Sequence, residues 1–226
     1  MKKNKIFISI ASYRDAELIP TIENCLKNAK NPRNLVFAIS NQFKAEDKIN
    51  DLSKYKKRKS FKIIETNYKD SLGVCHARHQ IQKLYDGEEY YFQLDSHHRF
   101  IKDWDLKLKE TLNQLKKEGS KKPLLSSYLP SYDPDIKGEK RLDDVWRTYI
   151  DRFMPEGPIF IFPETINNWE GSSPERARFI SGHFIFTLGL FCEEVPYDPK
   201  LYFHGEESSL STRAYTWGYD LFHLHR

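Results

Sequence analysis

The sequence is poor in cysteine, has no long apolar run and carries no large excess of one charge. Its three cysteines, Cys25, Cys75 and Cys192, are far apart, odd in number and form no CxxC pair. That spacing excludes a disulfide framework and a zinc knuckle, and it suits a reducing compartment. Behind Met1-Lys2-Lys3-Asn4-Lys5 stands only the short run Ile6 to Ile10, too brief for a signal peptide or a membrane span. The expectation is a soluble cytoplasmic protein. With 36 Lys and Arg against 32 Asp and Glu the formal charge is +4, short of a nucleic-acid-binding signature. The densest basic run, Lys54-Tyr55-Lys56-Lys57-Arg58-Lys59, lies between two predicted elements and reads as solvated surface. There is no repeat, no low-complexity tract, no HExxH helix, and no GxGxxG after the first strand. Any phosphate must therefore be held by something other than a glycine cradle.

Aromatic residues are plentiful, with 15 Phe, 13 Tyr and 4 Trp in 226 residues. Such rings fill cores and also pack on the apolar faces of sugars. The chain is long enough for a substantial core. Lys5 to Ile10 predicts a buried strand, and Ala11 to Asp15 a polar loop. Leu18, Ile22, Cys25, Leu26 and Ala29 form a helical stripe. Leu35 to Ile39 is a second strand, left by Ser40-Asn41-Gln42, and Phe61 to Glu65 a third. Gly73 opens a helix with Val74, Ala77 and Ile81 at helical spacing, and Tyr90 to Leu94 is a fourth strand. This order gives an α/β fold with a Rossmann-like, mostly parallel central sheet flanked by helices. Trp104 to Leu115 marks another helix and Leu124 to Tyr128 a fifth strand. Pro130 to Pro158 reads as a long loop with one helical turn around Val145-Trp146. Arg178 to Leu188 is an apolar strand interrupted at Ser181-Gly182-His183, Glu206 to Trp217 the last helix, and Asp220 to Leu224 the last strand. The sequence then stops at Leu224-His225-Arg226, as a fragment or a trimmed chain would.

The most informative run is Tyr90-Tyr91-Phe92-Gln93-Leu94-Asp95-Ser96-His97-His98. A buried strand ends abruptly at an acid, and a histidine follows two residues later. Ligands bind at this edge of open α/β sheets, and alternate residues leaving a strand point the same way. Asp95 and His97 can thus share one divalent cation, which in turn grips a diphosphate, as a nucleotide-sugar glycosyltransferase requires. An isolated Asp-x-His is more often a loop cap beside an exposed histidine; the buried fourth strand tips the reading to metal. Ser96 joins the donor-binding candidates, and His98 is expected to point away.

Arg78 lies one turn into the helix that begins at Gly73. There a glycine allows close backbone approach, the helix N-terminus favours anions, and the guanidinium can fork onto phosphate. His76 and His79 read as solvated or hydrogen-bonded. Ser12, Tyr13 and Arg14 can hold a nucleobase and ribose, unless Arg14 pairs with Asp15 or Glu17; Asn41 and Gln42 are weaker candidates of that kind. Glu206 and Glu207 suit a helix N-terminus electrostatically, or one of them binds a sugar or acceptor hydroxyl. Either His223 or His225 could complete the metal shell.

Four segments in this order resemble the hydroxyproline-type polypeptide N-acetylglucosaminyltransferases: Ile8 to Asp15, Gly73 to Arg78, Gln93 to His97, and Phe203 to Glu207. The resemblance spans nearly the whole sequence and implies a GT-A fold with one nucleotide-sugar site. It implies that Asp95 and His97 match a DxD-like metal motif, that Arg78 and Ser12 to Arg14 match donor-binding positions, and that Glu206 and Glu207 match an acceptor-side acidic pair. It also implies GlcNAc transfer from UDP-GlcNAc with retained anomeric configuration, and a late histidine on the metal.

The expected activity is transfer of a sugar from a UDP-sugar, assisted by Mn²⁺ or Mg²⁺, to a protein Ser, Thr or hydroxyproline or to a glycan. Residues 1–226 are read as one domain, with 1–128 binding nucleotide and 129–226 binding acceptor. A binding module of the same fold without turnover is the alternative; a metal-dependent hydrolase lacks a clustered His/Asp motif. Asp95→Ala is expected to abolish turnover and leave folding intact.

Overall fold

The computed structural model describes residues 2–46, 48–134, 146–166 and 174–224. Strand β1 runs Lys2–Tyr13, helix α1 Leu18–Asn28, strand β2 Leu35–Phe43, the short helix α2 Ser53–Lys56 and strand β3 Phe61–Asn67. Helix α3 (Val74–Gln82), strand β4 (Glu88–Asp95), helix α4 (Trp104–Lys117) and strand β5 (Pro123–Leu125) follow. Then come β6 (Trp146–Phe153), β7 (Ile159–Thr165), β8 (Glu175–Arg176), β9 (Phe184–Leu188), α5 (Phe191–Glu194), α6 (Glu206–Thr216) and β10 (Asp220–His223).

Eight strands form one sheet in the order β3-β2-β1-β4-β9-β5-β10-β8. The first four are mutually parallel, β9 is antiparallel to both β4 and β5, and β5 and β10 are parallel again. Near-continuous apolar runs such as Ile6-Phe7-Ile8 suit strands buried on both faces. Alternation divides them between two cores. Ile6, Ile8, Ile10, Phe37 and Phe92 pack with Leu18, Trp104 and Leu112 on one face. Phe7, Ala38 and Tyr91 pack with Cys75, Phe191 and Leu210 on the other. The aromatics are largely core: Phe92 lies within 5.2–6.2 Å of the rings of Phe100, Trp104, Phe184 and Phe186.

Several elements differ from the sequence reading. Strands β1 and β2 run past their apolar segments, because the ladder continues through Ser12↔Asn41 and Tyr13↔Gln42. Ser12 and Asn41 are therefore buried strand residues rather than loop residues. Beginning inside the segment read as a long loop and running past its end at Pro158, residues 146–165 form an antiparallel hairpin, with Trp146 opposite Thr165 and Tyr149 opposite Phe162. Its strands are rich in aromatic and β-branched residues, which favour the pleated sheet over a helical turn. Met154 and Gly157 close its turn. Trp146 is thus in a strand, while Val145 lies outside the described residues. The expected strand from Arg178 shrinks to β9, because Ser181 and Gly182 bond to side chains of other elements. In the basic run, Lys54 and Lys56 pair with Glu23 and Glu65 at the surface, and Tyr55 turns inward to stack on Phe61.

Candidate active site

Tyr91, Gln93 and Asp95 leave β4 on the face covered by α3 and α6. Asp95 is the last residue of the strand and stands beside Ala11 of β1. Behind it, the buried Arg78 of α3 donates from Nη2 to Asp95 Oδ1 at 2.9 Å and from Nη1 to the Tyr197 hydroxyl at 3.3 Å. Gln93 ties the same group together, donating to the Tyr197 hydroxyl at 2.7 Å and to the Gly182 carbonyl at 2.5 Å. Burial pushes the Asp95 carboxyl up, but the Arg78 charge and the nearby histidines outweigh it and hold it below the usual carboxylate range. Arg78 therefore keeps Asp95 ionised, and its guanidinium is directed at this carboxylate from beneath the sheet edge.

His97 lies on the solvent side of Asp95, with Nε2 3.9 Å from Asp95 Oδ2. Its other nitrogen, Nδ1, meets Asp15 Oδ2 at 2.7 Å. Ser96 donates to the same Asp15 oxygen at 2.5 Å, and the Glu17 amide donates to Asp15 Oδ1 at 2.9 Å. Burial raises the Asp15 carboxyl, yet these hydrogen bonds prevail and bring it down to about 2; the same contact raises His97. His98 is buried, its ring 6.4 Å from that of His97, and Nδ1 lies 3.1 Å from the Asp95 carbonyl. Burial and the neighbouring His183 push His98 down to about 3.

The acidic pair begins α6. Glu207 Oε1 accepts from the Gly182 amide at 2.7 Å. A Cβ on Gly182 would lie 2.9 Å from Arg78 Nη1, so Glu207, Gly182, Arg78 and Asp95 are contiguous. Burial raises both acids, Glu207 against the opposing pull of the Gly182 amide. The nucleotide candidates occupy the neighbouring part of the edge. Arg14 lies 4.8 Å over the Tyr68 ring, and Tyr13 meets that ring edge-on at 6.4 Å. Gln42 accepts from the Ser71 hydroxyl at 2.5 Å. Ser12 is buried, and its hydroxyl has no hydrogen-bond partner. Gly73 has a left-handed φ of 92°, and a Cβ there would meet the Tyr202 carbonyl at 2.5 Å. The close approach it allows is thus made by the protein's own backbone.

Asp95, His97, Arg78, Ser96 and Glu207 come together. His223 does not join them: β9 and β5 stand between β4 and β10. His223 is buried, Nδ1 has no partner, and burial pushes it down to about 4. His225 lies outside the described residues. His76 and His79 are hydrogen-bonded, to Gln80 and to the Tyr197 carbonyl. Two residues of the cluster were not singled out from sequence. Asp15 figured as a partner for Arg14 and as the end of a resembling segment, with no role of its own. His183 figured only as a strand break, although a polar interruption in an apolar strand was its signal. His183 Nε2 accepts from the Leu129 amide at 3.0 Å and Nδ1 meets the Ser181 hydroxyl at 2.9 Å, so both nitrogens are engaged by protein.

One carboxylate oxygen and one imidazole nitrogen converge at the sheet edge. They fit a divalent cation that takes mixed N and O ligands. Among the described residues no group of three His, Cys, Asp or Glu could hold a metal, so further ligands would be phosphate oxygens and water, the pattern of substrate-shared cations.

A mostly parallel sheet flanked by helices on both faces defines an α/β protein, and in that class ligands bind at the C-terminal edge of the strands. The structure of GalNAc-T7 with UDP, GalNAc and Mn²⁺ is similar at TM-score 0.73 and 14% identity, over 97% of this chain and 42% of that one. S. aureus TarS 1–349 is similar at TM-score 0.58 and 14% identity, over 97% of this chain and 58% of that one. Its complex with UDP-GlcNAc also matches at TM-score 0.58, with 12% identity over 98% and 58% of the two chains. The chain thus spans about half the length of these neighbours, and the fold is a GT-A glycosyltransferase fold. The model of the Glycosyltransferase (GlcNAc) family matches residues 5–62 and 48–226, and the chain belongs to that family. No curated protein matches it.

Proposed function

We propose that the chain is a metal-dependent glycosyltransferase of the hydroxyproline-type polypeptide GlcNAc-transferase kind, using UDP-GlcNAc as donor and a hydroxyl on a protein or glycan as acceptor. The observation that carries this reading is the 3.9 Å approach of His97 Nε2 to Asp95 Oδ2 at the C-terminal edge of the parallel strands. UDP-GlcNAc in a TarS complex, and UDP with Mn²⁺ in GalNAc-T7, support it from the same fold.

Asp95 and His97 would hold the cation. When bound, a Mn²⁺ or Mg²⁺ ion neutralises charge on the departing diphosphate. Arg78 keeps Asp95 ionised and oriented, and places a fixed positive charge behind the site. Ser12, Tyr13, Arg14 and Gln42 line the adjacent edge for the nucleoside, with Gly73 and Ser96 in the loops around it. Glu206 and Glu207, with raised pKa values, hold sugar or acceptor hydroxyls. The acceptor attacks from the leaving-group face, so configuration is retained and the leaving phosphate takes the proton. In this reading residues 1–128 serve the nucleotide and 129–226 the acceptor. A cytoplasmic location belongs to it as well, supported by three buried free thiols; among the described residues no helix is long and apolar enough to cross a membrane.

The test is UDP release from a panel of nucleotide sugars with Mn²⁺, paired with thermal shifts. UDP-GlcNAc should raise Tm only when Mn²⁺ is present, by an amount that grows with ligand concentration, and should turn over. Stabilisation without UDP release would make the chain a sugar- or nucleotide-binding module. Turnover insensitive to chelation would remove the metal.

A further inference from the structure

His97 has two ring nitrogens and can offer only one to a cation. Which one is available depends on where the ring proton sits, and free imidazole leaves that choice open. In this structure Asp15 is placed beside one of the two nitrogens. Its Oδ2 lies 2.7 Å from Nδ1, whereas Nε2 faces Asp95. Asp15 is an acceptor already fixed in place. Its Oδ1 takes the Glu17 amide and its Oδ2 takes the Ser96 hydroxyl. The turn that delivers it is also held: Arg14 adopts a left-handed φ of 49°, and its amide donates to the Gln42 carbonyl at 2.9 Å. The left-handed region is disfavoured for a non-glycine residue, so the surrounding contacts must impose it.

We propose that Asp15 is a positioning residue for the cation site: it accepts a hydrogen bond from the Nδ1–H of His97 and so directs the Nε2 lone pair toward the position shared with Asp95. This rests on the metal reading above. The carboxylate–histidine–metal arrangement orients the ring and strengthens the ligand. It also links the cation to the β1 loop, because the residue after Ser12, Tyr13 and Arg14 is the one that holds His97. Ser96 has its place in the same arrangement, as the hydroxyl that steadies Asp15.

Two measurements on the full chain test this. The first is the ¹⁵N spectrum of the His97 ring without metal, at alkaline pH where imidazoles are neutral, with H97Q identifying the signal. Wild type should show the Nδ1–H tautomer, and D15A should lose it. The second is Mn²⁺ affinity in the presence of UDP, which supplies the phosphate oxygens and cannot turn over, read from the Mn²⁺ concentration at which UDP raises Tm. D15A should bind roughly 10- to 100-fold more weakly, and D15E should recover part of the loss. If D15A does not fold by circular dichroism, D15L carries both readouts, since it keeps the approximate shape and removes the acceptor. A D15A protein that keeps the Nδ1–H tautomer, or that binds Mn²⁺ as wild type does, overturns the role of Asp15. Wild type that gains no Mn²⁺-dependent Tm shift with UDP instead overturns the metal reading, whatever the tautomer.

Discussion

Arg78 Nη2 lies 2.9 Å from Asp95 Oδ1, and the two ends of this ion pair sit in different surroundings. The Arg78 side chain is only 5% exposed, while that of Asp95 is 33% exposed toward the sheet edge. The pair is thus both a structural tie and the rear wall of the proposed cation site.

Asp95→Ala is consequently not a silent change for folding. It leaves a buried guanidinium without its carboxylate, and truncating one partner of a buried pair costs about 3 kcal/mol or more. Asp95→Asn keeps a hydrogen-bond acceptor for Arg78 and removes the charge. Urea melts should show a large loss for the alanine variant and a small one for the asparagine variant. Both should lack UDP release; an active Asp95→Asn protein would remove the carboxylate from the mechanism.

Two glycines should separate packing from chemistry. In Gly73→Ala the new Cβ meets the Tyr202 backbone carbonyl at 2.5 Å in a left-handed conformation. Backbone cannot swing aside, so a loss of roughly 1–3 kcal/mol is expected. In Gly182→Ala the nearest atom is Arg78 Nη1 at 2.9 Å, the far end of a side chain that can shift. The expected outcome is a small change in Tm and a larger fall in UDP release, because Arg78 moves relative to Asp95. Equal turnover in Gly182→Ala and wild type would argue that the placement of Arg78 does not matter.

Acid should destabilise the fold in a defined window. Burial pushes His98 to about 3, His183 to about 4 and His223 to about 4, from the ordinary 6.5. Below about pH 6.5 the unfolded chain takes protons that these folded histidines do not, so stability falls as pH falls, by up to ~1.4 kcal/mol per unit for each. His97 acts in the opposite sense. Asp15 raises its pKa, so its contribution is present below 6.5 and is lost as pH rises through the raised value. Glu206 and Glu207, raised by burial, also oppose the trend. The three depressed histidines carry the larger shifts and should win. Tm should drop between roughly pH 7 and pH 5; a flat profile would contradict their burial as neutral rings.

The aromatic core should be the costliest place to cut. Phe92 touches four rings between β4, β9 and α4. Phe92→Ala removes a fully buried ring, for which about 3–5 kcal/mol is typical. Chemical denaturation should show the midpoint shift at constant slope.

Asp95, His97 and the strand before them were legible because strand burial and a period of two are local properties. An apolar run that stops at an acid shows both the element and the edge it ends on. Helices α1, α3 and α4 were legible for a similar reason, their stripes recurring at helical spacing, and α6 from the acidic pair behind Gly205 that suits a helix N-terminus. The hairpin of β6 and β7 was not, since its strands are half-exposed and their pairing partner lies across a turn that hides the alternation. His223 looked like a metal ligand because sequence gives no strand order; only the ladder places two strands between it and Asp95.

Composition, apolar periodicity and the short motif after β4 determined the α/β class and which acid and histidine stand at the end of β4, because they act through neighbours in the chain. The tertiary structure alone decided that Arg78 faces Asp95, that Glu207 reaches Gly182, and that Asp15 meets His97 across 82 residues of sequence. Those contacts depend on which strands lie side by side and where a left-handed turn folds back, and no local pattern encodes either.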